Sequence, residues 1–302
     1  MKTPLIGLLA AATLAVSGCA SGGGEGPGAG VNFFNLAGGY DTQLDGLVDN
    51  AMAADSDGEL TSQVEAIAAL GAEASEKADA AADDSDARLV WLSIAANAYD
   101  KAALLTPAGA DAAKGYRSNV LSVTSTLDEL CQEGVTDTRL GYRCAAASMM
   151  QVLNGSETAL AEFEAAVSAA DLEAATTSAE AYGTAVTQDW PGYQDMIAVY
   201  PLGDQDLTPI AERQVANACA FNQAANSGTP TWQNSVRTMA QSGNAEAVSA
   251  RNAYFEAAAD VAQTLAVEPA GDACSAEGER SRQCVGQLER GLTFFCNAQS
   301  DS

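Results

Sequence analysis

What this chain lacks bounds the chemistry open to it. It contains no histidine, which removes the commonest general base, the usual nucleophile–base triads and most zinc or iron sites. Carboxylates are plentiful, with 40 acids against 14 bases, and two clusters concentrate them. In ADSDGEL, Ala54 to Leu60, the residues Asp55, Asp57 and Gly58 fit three positions of a calcium loop. Ala53 and Val64 then occupy the first and last positions, so the bidentate glutamate is missing. The run reads instead as a polar turn between helices. In ADAAADDSDA, Ala78 to Ala87, four acids gather: Asp79, Asp83, Asp84 and Asp86. A divalent ion is one use for them. Capping and charging the start of a helix at Ser85 is the other, and it is the one expected. Lys77, Lys101 and Lys114 read as solvated partners of nearby acids. Carboxylates alone can cleave glycans, but no spacing singles out a pair. The chain is therefore read as not an enzyme, with no cofactor and no metal.

Cysteine is the other reactive type, and six follow Cys19: Cys131, Cys144, Cys219, Cys274, Cys284 and Cys296. An even number points to disulfides if the chain is exported. Proximity favours Cys131 with Cys144 and Cys274 with Cys284, leaving Cys219 for Cys296, although the sequence alone allows every other connectivity. No CxxC pair is present to complete a zinc site. One further segment concentrates recognition-type residues. Asp189 to Pro209 carries Trp190, Tyr193 and Tyr200 with three of the eight prolines. Aromatics on a rigid connection make binding hot spots, and Trp232 is a candidate neighbour. The alternative is a packed connection, a seam between subdomains near 189–209.

The residues before Cys19 say where these groups would work. Lys2 precedes an apolar run of about 12 residues, the length of a signal-peptide core rather than a membrane span. Val16-Ser17-Gly18-Cys19 closes it and resembles the bacterial lipobox. That resemblance covers only the N-terminal region. It implies cleavage before Cys19 and acylation of its thiol and new amino group. It implies an envelope location, and Ala20 in place of aspartate favours the outer membrane. The glycines that follow, SGGGEGPGAG, cannot bury apolar surface. They read as a flexible tether over 19–40, after a signal peptide over 1–18 and before a folded domain over 41–302. The net charge of -26 excludes a nucleic-acid binder, which needs a basic face. An anionic domain is also repelled by anionic lipid, so attachment to the bilayer falls to the acylated cysteine.

The elements that must position these groups are helices. Ala, Leu, Glu and Gln recur with a 3.6-residue period, and alternating β-branched runs are missing. Helices are expected over 41–54, 59–82, 85–105, 109–132, 137–154, 156–170, 171–188, 206–226, 231–242, 244–266 and 276–297, with breaks at punctuation such as Thr106-Pro107 and Asn154-Gly155. The segment Ala95 to Pro107 resembles the second helix of a tetratricopeptide repeat at Ala95, Tyr99, Ala102 and Pro107. Asp79, Ala82, Asp83 and Asp86 occupy the first-helix positions and do not match. Partial echoes at Ala159, Phe163, Ala166 and at Ala250, Tyr254, Ala257 do not keep the repeat period of about 34 residues. The expected fold is all-α: antiparallel hairpins in an irregular bundle or a degenerate, TPR-like solenoid. The expected function is a noncatalytic scaffold or adaptor that binds an envelope protein or peptide. A glycan-cleaving envelope enzyme and a small-ligand or cation-binding lipoprotein are the alternatives.

Acylation at Cys19 is directly testable. Intact mass of the membrane-extracted protein should show a chain beginning at Cys19 and carrying acyl groups. Cys19→Ala should leave an unprocessed precursor. An unmodified wild-type Cys19 would remove the anchor.

Overall fold

The computed structural model describes residues 30–107, 109–132, 134, 138–189, 208–226, 231–267, 274 and 280–300. Among them there is no strand, and the fold is all-α. The helices are α1 (Gly30–Met52), α2 (Asp57–Ala80), α3 (Ser85–Leu105), α4 (Asp111–Gln132), α5 (Thr138–Ala169), α6 (Leu172–Thr184, continued by a π-helical turn Ala185–Asp189), α7 (Thr208–Asn226), α8 (Trp232–Gln241), α9 (Ala245–Thr264) and α10 (Arg282–Ser300). None is long and apolar enough to cross a membrane.

The helix starts follow from short polar side chains. Ser56, Asp84, Asp171, Thr231 and Asn244 are N-caps, each accepting a hydrogen bond from a backbone N–H in the first turn. Such a side chain satisfies a donor that the helix leaves orphaned. The expected roles of the two acidic clusters are thereby seen. ADSDGEL is the turn that caps α2, and Asp84 caps α3 at 3.1 Å from the Ala87 N–H. Two helices end without glycine. Ala170 (φ 54°) and Ala266 (φ 53°) take the left-handed conformation, and Asp171 N–H and Val267 N–H reach back to Ala166 O and Ala262 O.

Three expectations need correction. The helix preceding the first acidic turn begins at Gly30, not near 41, so part of the expected tether is helical. Glycine is dense only up to Gly30, and Val31 to Ala37 has ordinary helix-compatible residues. Asn154-Gly155 does not break the chain but lies inside α5. Asn154 is fully buried there, and its side-chain amide donates to Asp100 (2.6 Å) and to Met150 O (2.9 Å). That use of the amide replaces the turn it would otherwise form. Lys101, expected in solvent, is 7% exposed.

The chain forms two compact units, divided within α5 between Asn154 and Gly155. The expected seam at 189–209 falls mostly outside the described residues. In the first unit α2 packs on α3, α3 on α4, and α1 on both α2 and α3. One core joins Leu44 and Ala51 of α1, Val64, Ile67 and Leu70 of α2, and Ala98, Ala102 and Leu105 of α3. The second unit is organised around α9, which packs on α6, α7, α8 and α10. Its core is aromatic: Tyr182 stacks on Phe221 (4.4 Å), and Phe163, Trp232 and Tyr254 surround Phe221 or one another. Gly183 lets α6 approach α9, since a Cβ there would lie 3.3 Å from the backbone of Ala257.

Three cysteine pairs lie at disulfide distance: Cys131–Cys144, Cys219–Cys296 and Cys274–Cys284. Their sequence separations are 13, 77 and 10 residues. In a chain-entropy treatment a cross-link removes about 4.5 kcal/mol of unfolded-state freedom at the longest of these and about 2.7 at the shortest. Denaturant titration should therefore rank Cys219→Ala/Cys296→Ala as more destabilised than Cys274→Ala/Cys284→Ala by more than about 1 kcal/mol. The reverse ranking would show that native-state packing, not loop length, sets the contribution.

Candidate functional site

The residues singled out in the sequence scatter. Cys19 and the aromatics Trp190, Tyr193 and Tyr200 lie outside the described residues. Trp232 is in the core of the second unit at 6% exposure, edge-on to Phe163 and Tyr254. It packs rather than presents a ring to a partner. The six later cysteines are in the three pairs. Among the described residues no group of acids or cysteines converges as a metal site.

The structure instead assembles a cleft that sequence reading missed. It lies in the first unit, has a volume of about 280 Å³, and is lined by three helices. Ser75 and Asp79 come from α2, Arg88, Leu92 and Tyr99 from α3, and Asn119, Ser122, Val123 and Thr126 from α4. Each set repeats at helical spacing, so each marks one face of its helix. Leu92, Tyr99 and Val123 supply an apolar portion. Tyr99 fits because α2 has glycine opposite it: a Cβ on Gly71 would sit 3.1 Å from the ring. Some polar groups are already committed. The Ser75 hydroxyl donates to Gly71 O at 3.1 Å and the Thr126 hydroxyl to Ser122 O at 3.4 Å. Both oxygens keep acceptor capacity.

Arg88 is different. Its Nε is buried with no hydrogen-bond partner, and among the described residues its guanidinium forms no ion pair. Arg143, which is buried, and Arg213, which is largely so, are satisfied. Arg143 donates to Asp41 (2.9 Å) and Ser93 (2.7 Å), and Arg213 is bidentate to Glu157 (2.6 and 2.9 Å). Arg88 also stands in the first turn of α3, where the helix dipole disfavours a cation. Asp79 stands in the last turn of α2, where it disfavours an anion. Each placement costs about 0.3–1 kcal/mol. Local helix energetics therefore explain neither charge, and the two do not pair with each other.

A second void, of about 10 Å³, lies beside the Asp41–Arg143 pair and is lined also by Ser93, Asn97, Tyr142, Ala146 and Met150. It is about one water in size. Burial pushes the Asp41 carboxyl up, and the Arg143 charge pulls it back only in part. Burial likewise raises Asp45 and Glu164, and raises Asp260 against the pull of Arg280. No family model, curated protein or solved structure matches the chain, so the cleft is read from its own residues.

The raised carboxylates set a pH dependence. Their folded-state values lie above the unfolded ones, so the native state takes up protons first as pH falls. Their contribution to stability is therefore lost as pH rises through those values and gained on acidification. Reduced self-repulsion in a chain of charge -26 acts in the same direction. Urea midpoints should rise as pH is lowered from neutrality towards the ordinary carboxylate range. Midpoints that fall across this interval would contradict the burial argument.

Proposed function

We propose that this chain is a noncatalytic binding protein of the bacterial envelope, held to the bilayer through an acylated Cys19, and that its helical domain takes a small polar ligand in the α2–α3–α4 cleft. The anchor rests on the Val16-Ser17-Gly18-Cys19 signal and the glycine-rich stretch behind it. Ala20 supports an outer-membrane address. The observation that carries the binding role is the cleft itself, with a guanidinium whose Nε is buried and unpartnered.

Size favours a small molecule over a peptide. Ligand pockets run from about 300 to 1,000 Å³, and this cleft stands at the lower edge of that range. A peptide of several residues would contact it with one side chain only. This shifts the reading from the adaptor expected at first towards a ligand-binding lipoprotein.

The test uses the full processed protein in detergent. Thermal denaturation is followed against a panel of small sugars, carboxylates, amines and amino acids. A solute at one hundred times its Kd adds about 2.7 kcal/mol to stability. At least one class should raise the wild-type midpoint. Ser122→Trp, which fills the cleft, should abolish that rise. If no class moves the wild type, or the filled variant responds equally, the cleft is not the binding element.

A further inference from the structure

We propose that the cleft is built for a small zwitterion of the free α-amino acid class, with its carboxylate on Arg88 and its ammonium on Asp79. The inference rests on the cleft being a binding site. Asp79 and Arg88 flank the α2–α3 turn and line the same cavity, on opposite sides of a hairpin. They carry opposite charges and form no ion pair among the described residues, and each sits at the helix end that disfavours it. Asp79 is exposed and Arg88 half-buried, and a ligand that bridges them gives each the partner that the described residues do not supply.

Three ligand chemistries compete, and the residues discriminate among them. A simple anion satisfies Arg88 but meets Asp79 in the cleft and the acidic turn Asp83, Asp84 and Asp86 beyond it, on a chain of charge -26. A simple cation satisfies Asp79 and leaves Arg88 worse placed. A neutral polyol can hydrogen-bond Asn119, Ser122 and Thr126, but a hydroxyl is a weaker acceptor for a guanidinium than a carboxylate, whose charge-assisted bonds are about twice as strong. A zwitterion carries no net charge against the global field and presents one charge to each partner. Leu92, Tyr99 and Val123 then receive its side chain, which the volume limits to a small one.

The experiment measures Kd by ligand-observed NMR and calorimetry on the full processed protein in detergent. The probes are glycine, L-alanine and L-serine, with acetate, methylammonium and glucose as the single-feature controls. A zwitterion should bind at least ten-fold more tightly than acetate, methylammonium and glucose. Arg88→Gln and Asp79→Asn should each weaken it ten-fold or more. Without probe, both variants should melt at or above the wild-type temperature, because each removes a charge that opposes a helix dipole. That readout separates a binding role from a structural one, and Arg88→Lys, which keeps charge but loses the fork, provides a second variant. Glucose or acetate binding as tightly as the amino acids would overturn the zwitterion while leaving the cleft as a site. Zwitterion affinity unchanged in Arg88→Gln and Asp79→Asn would place binding elsewhere and overturn the assignment. Silence of every probe on the wild type would overturn both readings.

Discussion

Helix α3 has almost no outer face, and the first unit is arranged around that constraint. Seventeen of its 21 residues are buried, so neighbours must cover it on every side. Small residues make this geometrically cheap. Ala95, Ala96, Ala98, Ala102 and Ala103 let α2 and α4 approach, and Gly71 gives Tyr99 its place. The energetic difficulty lies in the polar residues that α3 carries inside. Ser93, Asn97, Asp100 and Lys101 are all buried, and a buried polar group costs free energy unless it is hydrogen-bonded. The structure answers from α5. Arg143 donates to Ser93 while pairing with Asp41 of α1, and Asn154 donates to Asp100. The unit is thus tied together by buried polar groups that must find each other as well as by its apolar core.

The second unit solves the same problem of an alanine-rich chain differently. Helix α9 buries nine residues, of which Ala247, Ala250, Ala253, Ala257, Ala258, Ala259 and Ala262 contribute little area each. Aromatics concentrate the apolar surface instead. Tyr254 lies among Phe163, Phe221 and Trp232, and ring pairs add beyond their area. The Tyr254 hydroxyl reaches Asn222, which also accepts from Thr293. Cys219–Cys296 then links α7 to α10 across the longest sequence separation of the three pairs.

How much of this was legible follows from the range of each signal. Helix class and most boundaries are local, and the cap of α3 was readable because the acidic cluster that contains Asp84 stands just before an apolar period. Asn154-Gly155 misled because the local turn signal is indifferent to what lies opposite in space, here Asp100. Lys101 misled for the same reason. The cleft was out of reach. The spacing of Asn119, Ser122 and Thr126 marks a polar face, but an exposed helix shows the same spacing. Only the packing of α4 on α3, with α2 lining the same cleft, makes that face a wall. The clue available was Arg88, a cation at the start of a helix whose other first-turn charge is Asp86. It breaks a local preference with no local compensation, and such departures concentrate where function is placed.

The charges elsewhere give that departure its weight. Asp41 with Arg143, Glu157 with Arg213, and Asp260 with Arg280 are matched within the fold. Each pair offsets the desolvation of its members, and removing one partner would strand the other. In a chain with 40 acids and 14 bases an unpaired carboxylate is ordinary, but an unpaired and partly buried arginine is not. Acids are abundant enough to supply Arg88 with a partner, and the nearest cluster lies a few residues before it at Asp83 and Asp84. Asp84 is instead spent on the helix cap, and Asp79, on the same cleft, forms no ion pair with Arg88. Among the described residues the fold therefore leaves a half-buried positive group and a solvent-exposed negative group without a protein partner in a single concavity. Neither is paired by the helices that carry them, so a third body that enters between them can offer each a partner.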